Sequence, residues 1–333
     1  YISLLAVATI MCLYAHAQRP DYSGPALLGN KSFTEVVTTN AKSQYGMLGV
    51  HEVGGKIYLE VPDSLLGRDI LTVNRLTKGW AGDKPFDPFL NFIGYGGDLA
   101  NESLFRFDRE SDNAIVVYPL DYSNRTQADD GGLSLPANAD MPTILHSFPV
   151  LCRNGMDDSS LVDATEFLSG DNTIMAFSAS LRGKFRVGAM QPQHSAISGI
   201  EVTDGHLITT SIKTYGYNSE TVRLGMRSVW FLLPVIPCEI RQPDHRVGYY
   251  TQPAIDYSDA YAPQQGLRMV KRWCMEPRPQ DREAYFRGEP VEPAKPLVIY
   301  IDPAMPEAWV PHMIQGINDW QPALEQAGFK NAI

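Results

Sequence analysis

GIEVTDGHLITTSIKTY, residues 199–215, is the stretch on which the fold turns. Two runs rich in β-branched residues flank the pair Asp204-Gly205, and Asp-Gly between such runs predicts a tight antiparallel hairpin. Working outward, TVRLGMRSVWFLLP (221–234) and LRMVKRWCME (267–276) read as further strands. On the N-terminal side SLFRFDRES (103–111) and AIVVYPL (114–120) alternate about an Asp112-Asn113 turn. Earlier still, KIYLEV (56–61) runs into a Pro62-Asp63 turn with a short helical step, DSLL, and DILTVNRLT (69–77) returns as a strand. The expected fold class is mainly β, built from antiparallel sheets. DYSNRTQADDGGLSLPANADMP (121–142) is rich in Asp, Asn, Gly and Pro and reads as a long surface loop.

The last segment changes period. In KPLVIYIDPAMPEAWVPHMIQGINDWQPALEQAGFKNAI (295–333), Leu297 to Asp302 reads as a strand buried on both faces. Trp309, Met313, Ile317, Trp320 and Leu324 then recur every three or four residues, on one face of a helix. Pro322 predicts a break near Gln321, because an interior proline costs about 3 kcal/mol. Gly328 suits the C-terminal cap. A strand followed by such a helix normally returns to a parallel strand, so this segment reads as the opening of a domain left incomplete. Before it, residues 276–296 hold five prolines and nine charged residues and read as a linker. The expected division is a signal peptide at 1–17, a small β module at 18–80, a β-rich domain at 81–275, the linker, and a domain start at 297–333.

Residues 1–17, YISLLAVATIMCLYAHA, form an uncharged apolar run ending in Ala15-His16-Ala17, as in a secretory signal peptide. The run is shorter than the about 20 residues a membrane span needs, and the mature chain is expected to start at Gln18, exported. The formal charge of -10 opposes a sequence-independent hold on nucleic acid or an anionic membrane. Beyond Cys12, the odd set Cys152, Cys238 and Cys274 favours small buried apolar residues over a Cys238 to Cys274 bridge. Asn30, Asn101 and Asn124 head Asn-x-Ser/Thr triplets, which matter only in a eukaryotic source.

Chemistry-bearing motifs are sparse. HEVGG at His51 departs from His-Glu-x-x-His at its fifth position and reads as a turn into a strand. His206 is expected to face solvent after the hairpin turn, and His312 to sit exposed off the apolar stripe. Gly-x-Ser-x-Gly and phosphate loops are missing, and GYGGDL at Gly94 reads as a turn. In RQPDHRVGYY (241–250), Asp244 and Arg246 stand two apart on one strand face, either as an ion pair or clamp or as a solvated surface pair.

LLPVIPCEIRQPDHRVGYY, MVKRWCMEP and the segment from GEPVEPAKPLVIYID to GFKNAI together resemble a family of exported bacterial zinc-dependent metalloproteases. In that family two N-terminal domains of unknown function precede a metzincin-like catalytic domain. YGMLGVHEVGGKIYLEVPDSLLGRDILTVNRL resembles the first of the two, and the β-rich middle resembles the second. The resemblance implies that 297–333 contributes the first strand and helix of an α+β zincin-like domain. It also implies a peptide or protein substrate and zinc held by a His-Glu-x-x-His helix further on. No such helix occurs here, so no catalytic or metal-binding residue carries over, and the fragment is expected inactive and zinc-free. Family-motif positions carried over without a role are Asp244, Arg246, Gly248, Tyr249, Trp273, Tyr300, Asp302 and Trp320. Cys238 and Cys274 stand where the family carries other residues. Cys152 in VLCRNG reads first as a buried structural residue, and latency through a thiolate or carboxylate of this region on the zinc is the alternative. The competing readings are an exported β-rich module binding peptide or glycan without catalysis, and a structural subunit of an envelope assembly.

Overall fold

The computed structural model describes residues 31–333 apart from 81, 83–85, 88–90, 93, 128–132, 135–142, 156–157, 218–219, 257–264 and 304. The expected signal peptide, the Asn30 triplet and most of the 121–142 loop lie outside the described residues. The chain divides into two compact units between Pro237 and Cys238.

In the first unit α1 (Phe33–Val36) precedes β1 (Lys42–Tyr45), β2 (Gly49–Val53), β3 (Lys56–Pro62) and β4 (Asp69–Lys78). Short β5 (Phe86–Asp87) and β6 (Asn91–Phe92) pair with each other, followed by long β7 (Leu99–Ser111) and β8 (Ala114–Leu120). β9 (Asn124–Gln127) and β10 (Leu133–Ser134) make another short pair. Next come β11 (His146–Asn154), β12 (Ser159–Asp163), α2 (Thr165–Ser169) and α3 (Ala179–Phe185). β13 (Ala196–Val202), β14 (His206–Tyr217) and β15 (Glu220–Leu232) complete the unit.

Eleven of these strands form one sheet in the order β1-β2-β3-β12-β11-β8-β7-β4-β15-β14-β13. Every neighbour in it is antiparallel. The strands of the 18–80 segment therefore pair directly with those of the β-rich segment, and one sheet spans both. At Gly54 and Gly55, φ is +57° and +81°, the two positive values a tight hairpin turn requires, which makes HEVGG the end of one strand and the turn into the next. The sheet nearly closes into a barrel. At the seam the Gln44 side chain donates to Ile200 O at 2.9 Å and accepts from Val202 N at 3.4 Å, while Met47 N donates to Thr203 O at 2.7 Å. Gly46 permits this approach, since a Cβ there would lie 2.3 Å from Thr203 O.

Alternation along the strands decides what lies inside. On β15 Val222, Leu224, Met226, Ser228 and Trp230 are buried while intervening residues are exposed or half-buried. The interior is filled by α2 and the irregular stretch after it, where Phe167, Leu168, Ile174, Met175, Ala176 and Phe177 are all buried. Phe167 packs edge-on to Phe148 and Trp230, at centroid distances of 5.3 and 6.3 Å.

The second unit contains a hairpin of β16 (Thr251–Asp256) and β17 (Gln265–Val270), then α4 (Arg282–Phe286), α5 (Val310–Asn318) and α6 (Gln321–Gln326). The helix breaks at Asp319 and Trp320, just before Gln321, with Pro322 at the start of α6, and Gly328 takes a φ of +92°. Three expectations are corrected here. Residues 276–296 are not a linker: they include α4, and buried Val291 packs with Phe329 and Ala332 and exchanges backbone bonds with Gly328 and Lys330. Their many charges masked the few apolar side chains that anchor them. Leu297 to Ile301 is not a buried strand: it pairs with no strand among the described residues, and Val298, Ile299 and Tyr300 are exposed. Apolar β-branched composition predicts burial, but a strand also needs a ladder partner. Cys238 and Cys274 are not free apolar residues but a disulfide, with Cα atoms 6.0 Å apart.

Among the described residues no helix is long and apolar enough to cross a membrane, which says nothing of β-barrels. Because Leu168 is fully buried in the barrel interior, Leu168→Ala is expected to cost about 2–5 kcal/mol, measured as a shift in the urea unfolding midpoint.

Candidate functional site

The positions carried over by resemblance all lie in the second unit, and among the described residues the structure joins Asp244 with Arg246. Asp244 and Arg246 form a bidentate ion pair: Arg246 Nε donates to Asp244 Oδ1 at 2.9 Å and Nη2 to Oδ2 at 2.6 Å. The Arg246 backbone N–H adds a bond to Oδ1 at 2.9 Å. The pair sits in a turn closed by Val247 N to Asp244 O, not on a strand face as expected. A turn brings residues two apart together through the backbone itself, which strand parity cannot reveal. The Arg246 side-chain and backbone bonds hold the Asp244 carboxyl below its ordinary value. Gly248, Tyr249, Trp273, Tyr300, Asp302 and Trp320 are exposed. The disulfide joins the start of this unit to the segment that follows its hairpin, and Arg272 Nη2 donates to Glu239 O at 2.8 Å beside it. Glu276 lies close to both sulfurs, but the disulfide consumes the thiolates a metal would need.

The second unit also carries exposed apolar residues. Trp309, Met313, Ile314 and Trp320 on the helical segment, and Val298, Ile299 and Tyr300 on the extended run, are all exposed. Between run and helix lies an open groove of about 410 Å³ lined by Leu297, Ile299, Ile301, Ile314, Ile317 and Ile333 among others. Exposed apolar residues gathered along a groove are characteristic of surfaces that pack against something else.

The first unit holds two buried polar centres that sequence reading missed. In the barrel, the Lys213 ammonium donates to the carbonyls of Ser169 and Gly170 at the end of α2. Nearby, Asp171 accepts from the Tyr215 hydroxyl at 3.1 Å and from Arg182 Nη1 at 2.6 Å, with the guanidinium 5.7 Å from the Tyr215 ring centroid. Burial lowers the Lys213 pKa to about 8 and pushes the Tyr215 hydroxyl well above its ordinary value. The one available signal was parity: Lys213 shares a strand face with Leu207, Thr209, Ser211 and Tyr215.

The second centre lies on the outer face of β2 and β3. His51 is fully buried, with Nε2 3.2 Å from Glu60 Oε2 and Nδ1 2.8 Å from Ser43 Oγ. Ser159 Oγ and Asn154 Nδ2 donate to Glu60 Oε1 at 2.6 and 3.1 Å. Phe33 of α1 meets the His51 ring edge-on at 5.6 Å. Cys152 lies on β11, not in a loop, buried in the apolar cluster with Val36 and Leu161, and burial raises its thiol pKa to about 11. A protonated, buried thiol is a poor source of the thiolate that the latency expectation needs. Asn101 also points inward, donating to Thr173 O, so its triplet offers no glycan site.

Two family models match the chain. One, described as Domain of unknown function (DUF5117), covers residues 97–278, and the other, Domain of unknown function (DUF5118), covers residues 30–79. The first spans more than half of the chain, and the protein belongs to the DUF5117 family. No curated protein and no solved structure matches.

Two outcomes follow from these centres. A Cβ at Gly49 would lie 2.9 Å from Glu60 Oε2 and 3.2 Å from His51 Nε2, so Gly49→Ala is expected to destabilise the fold by about 1–3 kcal/mol in urea unfolding. For Lys213, the folded pKa lies below the ordinary 10.5, so between about pH 8 and 10 the unfolded chain binds more protons and stability rises with pH. The complete effect is on the order of 3 kcal/mol. Tyr215 opposes it only as the pH passes 10, its ordinary value. Comparing urea midpoints at pH 8 and 10 for the native chain and Lys213→Met should show the slope diminished in the variant.

Proposed function

We propose that this chain is the N-terminal accessory region of an exported zinc-dependent metallopeptidase, with residues 297–333 contributing the first elements of its catalytic domain. The observation that carries this reading is the exposed apolar face formed by Val298, Ile299, Tyr300, Trp309, Met313, Ile314 and Trp320. Such a face suits elements that pack beneath further strands or helices of the same domain. The tandem match to two domains of unknown function is consistent with the two N-terminal domains that the resemblance implies. The Cys238–Cys274 disulfide is compatible with an oxidising, exported setting. In this reading zinc would be held by ligands outside these residues, and the chemistry it would supply is activation of a water for peptide-bond hydrolysis. The barrel then serves as a rigid support, because its polar centres are spent on internal bonds.

A peptide- or glycan-binding module without catalysis is the second reading, favoured by exposed Tyr249, Tyr250 and Trp273. Isolating the native protein from its source separates the two. The metallopeptidase reading expects an intact mass well above 37.0 kDa, stoichiometric zinc and chelator-sensitive hydrolysis of casein, while residues 18–333 alone neither hydrolyse casein nor hold zinc. A native mass at or below that value, without zinc, would sink it and leave the binding module.

A further inference from the structure

Inside the barrel, four buried polar side-chain atoms among the described residues lack a hydrogen-bond partner: Asn74 Oδ1, Thr209 Oγ1, Ser228 Oγ and Trp230 Nε1. They are not scattered. The ladder pairs Thr209 with Ser228 and Ser228 with Asn74, so three of them stand side by side across β14, β15 and β4. Trp230 lies two residues beyond Ser228 on the same inward face. All four residues are at least 98% buried. The Asn74 amide is fixed in orientation, because its Nδ2 donates to Ile174 O at 2.9 Å and to Ala176 O at 3.3 Å, which turns Oδ1 elsewhere.

We infer that this row is an internal water site. Side chains directly opposite on neighbouring strands have Cβ atoms about 4.5–5.5 Å apart, a span that one water can bridge. The chemistry selects water over an ion, since the row offers neutral hydroxyls, an indole N–H and an amide oxygen, with no formal charge among them. Water donates to Asn74 Oδ1 and both donates to and accepts from the two hydroxyls, and the indole N–H finds an acceptor. Leaving such groups unpaired costs about 1–3 kcal/mol each, so a protein with no use for a bridge would carry apolar residues here.

The sign of a stability change tests this. Replacing both hydroxyls in Thr209→Val/Ser228→Ala removes the bridge and strands Asn74 Oδ1, and the melting temperature is expected to fall by roughly 2–4 °C for each bridging bond lost. If the hydroxyls are dry, the same variant deletes two unpaired groups and the melting temperature rises, which overturns the assignment. A high-resolution crystal structure gives the direct readout. Ordered solvent within about 2.7–3.2 Å of Asn74 Oδ1 and at least one hydroxyl is expected. Direct packing of these side chains without solvent would also overturn it.

Discussion

An irregular segment buried inside a sheet must find partners for its backbone carbonyls, and the first unit is organised around that constraint. Residues 164–178 cannot satisfy themselves, because α2 is only one short helix and the remainder is turn. The strands supply the donors. Asn74 and Thr72 reach Ile174 O, Asn101 and Ser103 reach Thr173 O, and Lys213 reaches the last carbonyls of α2. Polar residues at inward positions of β4, β7 and β14 are thus structural requirements of the filling segment.

The same constraint explains why the barrel tolerates a lysine. The Lys213 amine caps carbonyls that carry the negative end of α2, and Asp171 stands close enough to favour its charge. Burial still dominates, and the pKa falls. Asp171 is meanwhile held by Tyr215 and Arg182, so the acid, the phenol, the guanidinium and the amine hold α2 and the following turn to β14. Every one of these groups is engaged internally, which sets the first unit apart from an open catalytic cleft.

The second unit follows a different logic. Its core is small, built on Val291, Phe329 and Ala332, and a disulfide adds a covalent constraint where apolar burial is thin. Its larger aromatic residues face outward. Tyr249, Tyr250, Trp273, Trp309 and Trp320 are all exposed in it, whereas the first unit spends its buried polar side chains on its own closure.

Local signals survived folding almost unchanged. The Asp204-Gly205 hairpin, the glycine turn after His51, the step at Asp63 and the break before Pro322 depend on neighbouring residues alone, so the sequence by itself determined them. The strands read from alternation in the first unit are present, because period-two alternation is a local property, whereas the run from Leu297 failed as a strand because a ladder partner is not. Strand order, the seam at Gln44, the fill by residues 164–178 and the Cys238–Cys274 bridge join residues far apart in the chain, and only the tertiary structure decided them. The buried pairs show the difference most plainly. His51 and Glu60 are ordinary strand residues in sequence, and their partnership exists because two strands and a glycine bring them together and α1 closes over them. Pairwise chemistry of this kind depends on which surfaces meet, and the order of residues along a chain does not contain that information locally.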